Sequence, residues 1–148
     1  MYEREDSESP KARTDNTLRY ESETRRIKVA VNPAYLDDQS DPEDDRYVWS
    51  YTVTIENKSE EAVQLLSRYW NITDGAGRVQ EVRGEGVVGA QPVIGPGEKF
   101  QYTSGCPLET ASGYMTGRYR MISASGESFE AEIPGFLLES PYERRQIH

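Results

Sequence analysis

The sequence RYVWSYTVTIEN, residues 46–57, decides the fold class, because large apolar side chains recur there at every second position. One set of alternate residues is aromatic or β-branched and the other is polar: Tyr47, Trp49, Tyr51, Val53 and Ile55 against Ser50, Thr52, Thr54 and Glu56. Side chains of a strand alternate between two faces, whereas those of a helix repeat every 3.6 residues. The stretch is therefore predicted to be a half-buried strand with one face in a core.

Similar alternation and turn signals continue on both sides of this strand. Further strands are predicted upstream and downstream, at residues 27–31, 62–73, 78–83, 98–106, 114–123 and 127–133, with 136–138 continuing the last one beyond Pro134. Turns are predicted at residues 74–77, at Pro96-Gly97 as a type II turn, and at Ser125-Gly126. Seven or eight short strands without a helix indicate an all-β sandwich or barrel.

Trp70 is the predicted anchor of the core. An immunoglobulin-like sandwich usually buries a Trp on its third strand, and Trp70 lies on the third strand of this series. Strict alternation over residues 62–73 assigns two opposite faces: Leu66, Trp70 and Ile72 on one, and Val63, Leu65 and Tyr69 on the other.

Composition bounds the organisation and the class of protein. The 148 residues suffice for one domain. Residues 1–25 form a charged leader with few apolar groups and are expected to be disordered, residues 26–141 form the sandwich, and 142–148 are a tail. The net charge of −9 argues against a nucleic-acid binder. Neither a signal peptide nor a membrane span of about 20 apolar residues is visible, so the protein is predicted to be cytoplasmic and not inserted in a membrane.

The sequence offers little for catalysis, a cofactor or a metal. The only histidine, His148, is the last residue, and the only cysteine, Cys106, has no visible activating partner. Residues 37–45 hold six carboxylates, but they lack EF-hand spacing and are interpreted as a solvated loop rather than a metal site. We therefore expect a protein that is not an enzyme, with no cofactor and no metal ligands.

The sequence GEGVVG, residues 84–89, matches the GxGxxG pattern of dinucleotide-binding folds. In those folds a helix follows the glycines, but here Pro92 and Pro96 prevent one. The favoured interpretation is a structural loop or β-bulge in which Gly86 takes a positive φ. The alternative is a weak anion site at the loop, made by three glycines and nearby arginines: Gly84, Gly86, Gly89, Arg68, Arg78 and Arg83.

Five long stretches of the chain form a recognisable series: RYWNITDGAGRVQEVRGEGVVGAQPVI (68–94), YVWSYTVTIEN (47–57), PGEKFQYTSGCPLET (96–110), GYMTGRYRM (113–121) and FEAEIPGFLLESP (129–141). Together they resemble the ApaG family. The resemblance covers about residues 27–141, and its motifs agree in order. The family's glycine motif maps onto Gly84, Gly86 and Gly89.

The resemblance implies a fibronectin-III-like sandwich of two antiparallel sheets. Related domains are fused to F-box and polymerase-interacting proteins, which implies protein–protein contacts, and some members carry a cobalt and magnesium efflux label. The leading hypothesis is an interaction or regulatory module with an unidentified protein partner, linked only indirectly to metal tolerance. A binder of phosphorylated nucleotides or pyrophosphate through residues 84–89 and a protein that handles divalent metals stay open as alternatives, and so does a homo-oligomer.

Overall fold

Alternating apolar residues build two antiparallel sheets whose inner faces pack together. The computed structural model describes residues 19–142 in full and the backbone of residues 3–5. Within these residues the strands are β1 (Glu3–Glu5), β2 (Tyr20–Thr24), β3 (Ile27–Tyr35), β4 (Tyr47–Asn57), β5 (Val63–Asp74), β6 (Val79–Glu85), β7 (Val93–Ile94), β8 (Lys99–Leu108), β9 (Ser112–Ser123) and β10 (Ser128–Glu139).

The first sheet has the order β1-β8-β4-β3-β2, and the second has the order β10-β9-β5-β6, with β7 paired to the start of β5. Two short 3-10 helices, Asp37–Gln39 and Pro42–Asp44, occupy the acidic segment between β3 and β4. The predicted all-β sandwich is confirmed. The described residues form ten strands rather than seven or eight, because β1, β2 and β7 are short or polar and carry no alternation signal. None of these residues forms a helix able to cross a membrane.

The predicted core anchor is confirmed. Trp70 is 2% exposed, and its ring packs edge-on against Tyr51 of the first sheet at 5.2 Å and against Phe136 of β10 at 6.0 Å. On the neighbouring strand, a Cβ at Gly117 would lie 2.3 Å from the Tyr69 carbonyl oxygen and 3.0 Å from the Trp70 ring. Glycine at position 117 therefore lets β9 lie close against Trp70.

The predicted assignment of faces in β5 is wrong at the start of the strand. Val63 and Leu65 are buried together with Trp70, whereas Leu66 is half-buried. The cause is a β-bulge, since the register of β5 against β9 shifts between Leu65 and Ser67. An extra residue in one strand inverts the alternation beyond it, and strict period two does not reveal it.

Residues 1–25 were predicted to be disordered, but residues 20–24 form the strand β2. Residues 3–5 of the same segment form β1, which pairs with β8. β2 pairs with β3 and closes the side of the sandwich next to β10. Ser22 Oγ donates a hydrogen bond to the Glu132 carbonyl at 2.7 Å, and the Glu132 N–H donates one to Thr24 Oγ1 at 3.2 Å. Most of the predicted leader, residues 1–2 and 6–18, lies outside the described residues, as do residues 143–148 of the predicted tail.

Candidate functional site: the glycine-rich loop and the outer face of the second sheet

The glycine-rich segment leaves β6 and turns back on itself. Val87 and Ala90 exchange two backbone hydrogen bonds of 2.8 and 2.9 Å, and the two residues between them, Val88 and Gly89, have φ of 43° and 78°. Gly86 has φ 65°, and a Cβ there would lie 2.2 Å from the Ala90 carbonyl oxygen. The backbone therefore requires glycine at Gly86, for its positive φ and for the close approach.

The loop uses its own hydrogen-bond donors internally. The Gly86 N–H donates to the Leu66 carbonyl at 2.9 Å, and the N–H groups of Val87 and Ala90 are used within the turn. A phosphate site made from backbone requires several N–H groups that point together towards the anion. Three N–H groups of this segment are already committed to carbonyl oxygens.

The structure does not bring the three candidate arginines together, since Arg78 pairs with Asp74 in the β5–β6 hairpin. Arg68 pairs with Gly84 across the β5–β6 ladder, whereas Arg83 pairs with Tyr69, so Arg68 and Arg83 lie on opposite faces of the sheet. Arg68 Nη1 donates to the Gly86 carbonyl at 2.6 Å. Arg68 therefore ties the loop to β5, and Arg83 belongs to the outer face.

The outer face of the second sheet carries the strongest concentration of exposed apolar groups. The four most exposed large hydrophobic residues among the described residues all belong to the second sheet: Val79 at 60%, Val93 at 62%, Tyr114 at 44% and Leu137 at 45%. Three of them, with Thr73 between two of them, form a single line across β6, β5, β9 and β10 in the strand register. We call this line the apolar row: Val79, Thr73, Tyr114 and Leu137.

A second line crosses the same face four residues further along β5 and β9. We call it the arginine–tyrosine row, and it consists of Arg83, Tyr69, Arg118 and Glu132. The guanidinium carbons of Arg83 and Arg118 lie 4.7 and 4.2 Å from the centre of the Tyr69 ring. Tyr69 Oη donates to Glu81 Oε2 at 2.7 Å, which fixes the ring between the two cations.

This face was not predicted from the sequence, although a signal for it exists there. Tyr69, Tyr114 and Arg118 occupy the alternate positions to buried residues such as Trp70, Met115 and Tyr119, so alternation alone assigns them to the outside. Their grouping depends on strand order and register, because each row takes one residue from each of four strands, β6, β5, β9 and β10.

A cavity of about 560 Å³ opens at the end of the sandwich next to the β5–β6 hairpin. Its lining includes Asp74, whose carboxylate accepts hydrogen bonds from the backbone N–H groups of Ala76 and Arg78 and pairs with the Arg78 guanidinium at 2.8 Å. Burial acts to raise the pKa of Asp74, but these hydrogen bonds and the Arg78 charge together hold it below its usual value. The ionised carboxylate of Asp74 therefore stabilises the β5–β6 hairpin.

Neither a metal centre nor an activated thiol is formed by the described residues. In the range 19–142, no three His, Cys, Asp or Glu side chains lie close enough to hold a metal ion. Burial raises the pKa of the Cys106 thiol to about 12, so this sulfur stays protonated in the core. His148 lies outside the described residues.

Comparison with known proteins identifies the family. The model of the ApaG domain matches residues 37–123. The chain is 59% identical to Protein ApaG from Mesorhizobium japonicum over 129 residues, covering 87% of this chain and 99% of that protein, and 57% identical to Protein ApaG from Parvibaculum lavamentivorans over the same length and shares. It is similar in structure to the ApaA protein from Bordetella pertussis, with a TM-score of 0.76 and 48% identity over 84% of this chain and 98% of that one. The chain therefore belongs to the ApaG family.

Proposed function

We propose that this chain is a non-enzymatic protein–protein interaction or regulatory module of the cytoplasm, and that the outer face of the second sheet binds its protein partner. The observation that carries this proposal is the gathering of exposed apolar residues into the apolar row beside the arginine–tyrosine row. Exposed apolar patches rimmed by polar groups mark interaction sites, and Tyr and Arg are enriched among residues that dominate binding energy.

The face is suited to a protein rather than to a small ligand. It is formed by strands and presents a broad surface, whereas small-molecule sites are concave and enclose their ligand. Its polar groups are also held in place, since Tyr69 is stacked between Arg83 and Arg118. Rigid side chains lose less conformational entropy when a partner binds. Any link to cobalt or magnesium tolerance is proposed to act through the bound partner.

Binding of phosphorylated nucleotides through residues 84–89 has weaker support. The N–H groups of Gly86, Val87 and Ala90 are used by carbonyl oxygens, and Arg68 and Arg83 lie on opposite faces of the sheet. The arrangement leaves the loop without the convergent donors that a pyrophosphate group requires.

Affinity capture with matched variants tests the proposal. The purified chain is immobilised beside a double variant, Tyr114→Ser with Leu137→Ser, and beside a control on the outer face of the first sheet, Lys99→Ser with Gln101→Ser. All three are checked for equal melting temperatures. The proteins that the wild type and the control retain from a cell lysate are expected to be lost from the Tyr114 and Leu137 variant. Retention of the same proteins by all three chains would refute the proposed surface.

A further inference from the structure

The outer face of the second sheet carries two opposite charges that have no ion-pair partner among the described residues. Within residues 19–142, Arg83 stacks on Tyr69 without contacting a carboxylate, and Glu132 has no cation beside it, since its neighbour Arg118 pairs with Glu130. They lie at the two ends of the arginine–tyrosine row, on β6 and β10, with two strands between them. Strands are about 4.8 Å apart, so the two ends of the row are about 14 Å apart. This distance is too great for the two side chains to pair within one chain.

A second copy of this chain satisfies both charges at once. We propose that the outer face of the second sheet packs against the same face of a second copy, about a two-fold axis that runs parallel to the strands between β5 and β9. This inference rests on the proposed function and names the occupant of that surface. The axis reverses the order of the strands, so Arg83 faces Glu132 of the second copy and Glu132 faces its Arg83.

The other positions of the two rows are also compatible with this symmetry. Tyr69 faces Arg118 of the second copy, which places a guanidinium donor opposite a phenolic oxygen that is able to accept a hydrogen bond. In the apolar row, Val79 faces Leu137, and Thr73 faces Tyr114. Two-fold contacts of this kind need a self-complementary surface, and both rows meet that condition.

The size of the face and one unfavourable pair set the expected strength of the association. Four strands about 4.8 Å apart and eight residues about 3.3 Å apart give about 500 Å² per copy, or about 1,000 Å² in total, at the lower limit of specific interfaces. Glu85 and Glu130 of the second copy repel each other in this arrangement, because they occupy the ends of the next row. We therefore expect a weak dimer that dissociates on dilution.

Charge reversal with sedimentation velocity tests the pairing. The full chain is measured from about 5 µM to about 500 µM, where association of micromolar strength is visible. Wild type is expected to shift from monomer to dimer. Arg83→Glu and Glu132→Arg are each expected to raise the dissociation constant at least about tenfold, because like charges then face each other twice. The double variant is expected to recover most of the association.

A second pair of variants serves as the control. Lys99→Glu and Glu56→Lys reverse charges that are cross-strand neighbours on the outer face of the first sheet, and they are expected to leave the dissociation constant unchanged. A wild type that stays monomeric at every concentration would overturn the dimer, while the capture experiment would still test the binding of another protein. A dimer that ignores the reversal of Arg83, or a double variant that does not recover, would also overturn the pairing.

Discussion

The two outer faces of the sandwich have the same architecture and opposite chemistry. On the first sheet, polar side chains pair with one another across the strands: Thr52 with Thr103 at 2.9 Å and Thr54 with Gln101 at 3.0 Å. Among the described residues, none of the strongly exposed large apolar side chains lies on that face, whereas the second sheet holds all four. Both faces cover the same core, so folding alone does not account for this difference. This difference is the reason why we propose the apolar face, and not the polar one, as the binding surface.

Two adjacent residues of β5 offer the sharpest test of this comparison, because Trp70 faces the core and Tyr69 faces outward. Replacement of a buried Trp by Ala typically costs about 3–5 kcal/mol, and we expect this loss for Trp70→Ala. Tyr69→Ala is expected to cost about 1–2 kcal/mol, because the half-buried Tyr69 loses its stacking with Arg83 and Arg118 and its hydrogen bond to Glu81 but leaves no cavity in the core. Urea unfolding of both variants measures the difference. Equal losses would show that the outer face contributes to stability as the core does.

The sequence predicts the strands well and the surface poorly, for a physical reason. Burial on one side imposes an alternation that is visible locally, as in residues 46–57, whose strand β4 matches the prediction to within one residue. The arginine–tyrosine row depends on which strands become neighbours, and its four residues come from positions as far apart as Tyr69 and Glu132. Local pattern does not contain that information.

The same reason explains the prediction that failed at the N-terminal side. β2 has the sequence YESET. Its half-buried residues are Tyr20, Ser22 and Thr24, of which only Tyr20 is apolar, so it has no apolar alternation. Its hydroxyl groups form hydrogen bonds with the backbone of Glu132 at the edge of β10, more than 100 residues further along the chain. The bulge in β5 was not predicted for the same reason, because an inserted residue is recognised only from the register of β5 against β9.

Deletion of β2 has the next largest expected effect. It tests whether β2, at the edge of the first sheet, stabilises β10 at the edge of the second. Removing residues 1–25 should cost about 2–4 kcal/mol more than removing residues 1–18, because it deletes two hydrogen bonds to Glu132 and the contact of Tyr20 with Phe136. Thermal unfolding of the two truncated chains measures the increment. Ser22→Ala with Thr24→Val in the full chain isolates the hydrogen bonds. Identical melting temperatures of the two truncated chains would contradict this role of β2.

Gly86 tests whether the loop or the outer face is the binding region. Gly86→Ala is expected to cost about 2 kcal/mol, since Ala pays for the positive φ and meets the Ala90 carbonyl. Gly89→Ala, where φ is also positive but the space is open, should cost about 1 kcal/mol. Calorimetric titration of the wild type with ATP, GTP, NAD and pyrophosphate at physiological salt should show no saturable binding. Micromolar binding that Gly86→Ala abolishes in a folded protein would move the site from the outer face to the loop.

Replacement of Asp74 has the smallest expected effect. It tests whether the Asp74 carboxylate stabilises the hairpin between β5 and β6, which carry Thr73 and Val79 of the apolar row. Its pKa is lowered in the folded chain, so its ionised form stabilises the fold above the pKa of the unfolded chain, and this stabilisation disappears as the pH falls through the folded pKa.

Asp74→Asn is expected to cost about 1 kcal/mol at pH 7, from the weakened bonds to Arg78 and Ala76. The difference from the wild type should shrink as the pH falls below about 4, where an unfolded Asp titrates, and through the lower pKa of the folded chain. Glu109→Gln, an exposed partner of Arg78 at 3.4 Å, is the matched control and should show almost no such change. A difference for Asp74→Asn that stays constant with pH would show that the carboxylate charge does not hold the hairpin, and that the apolar row is positioned by strand pairing alone.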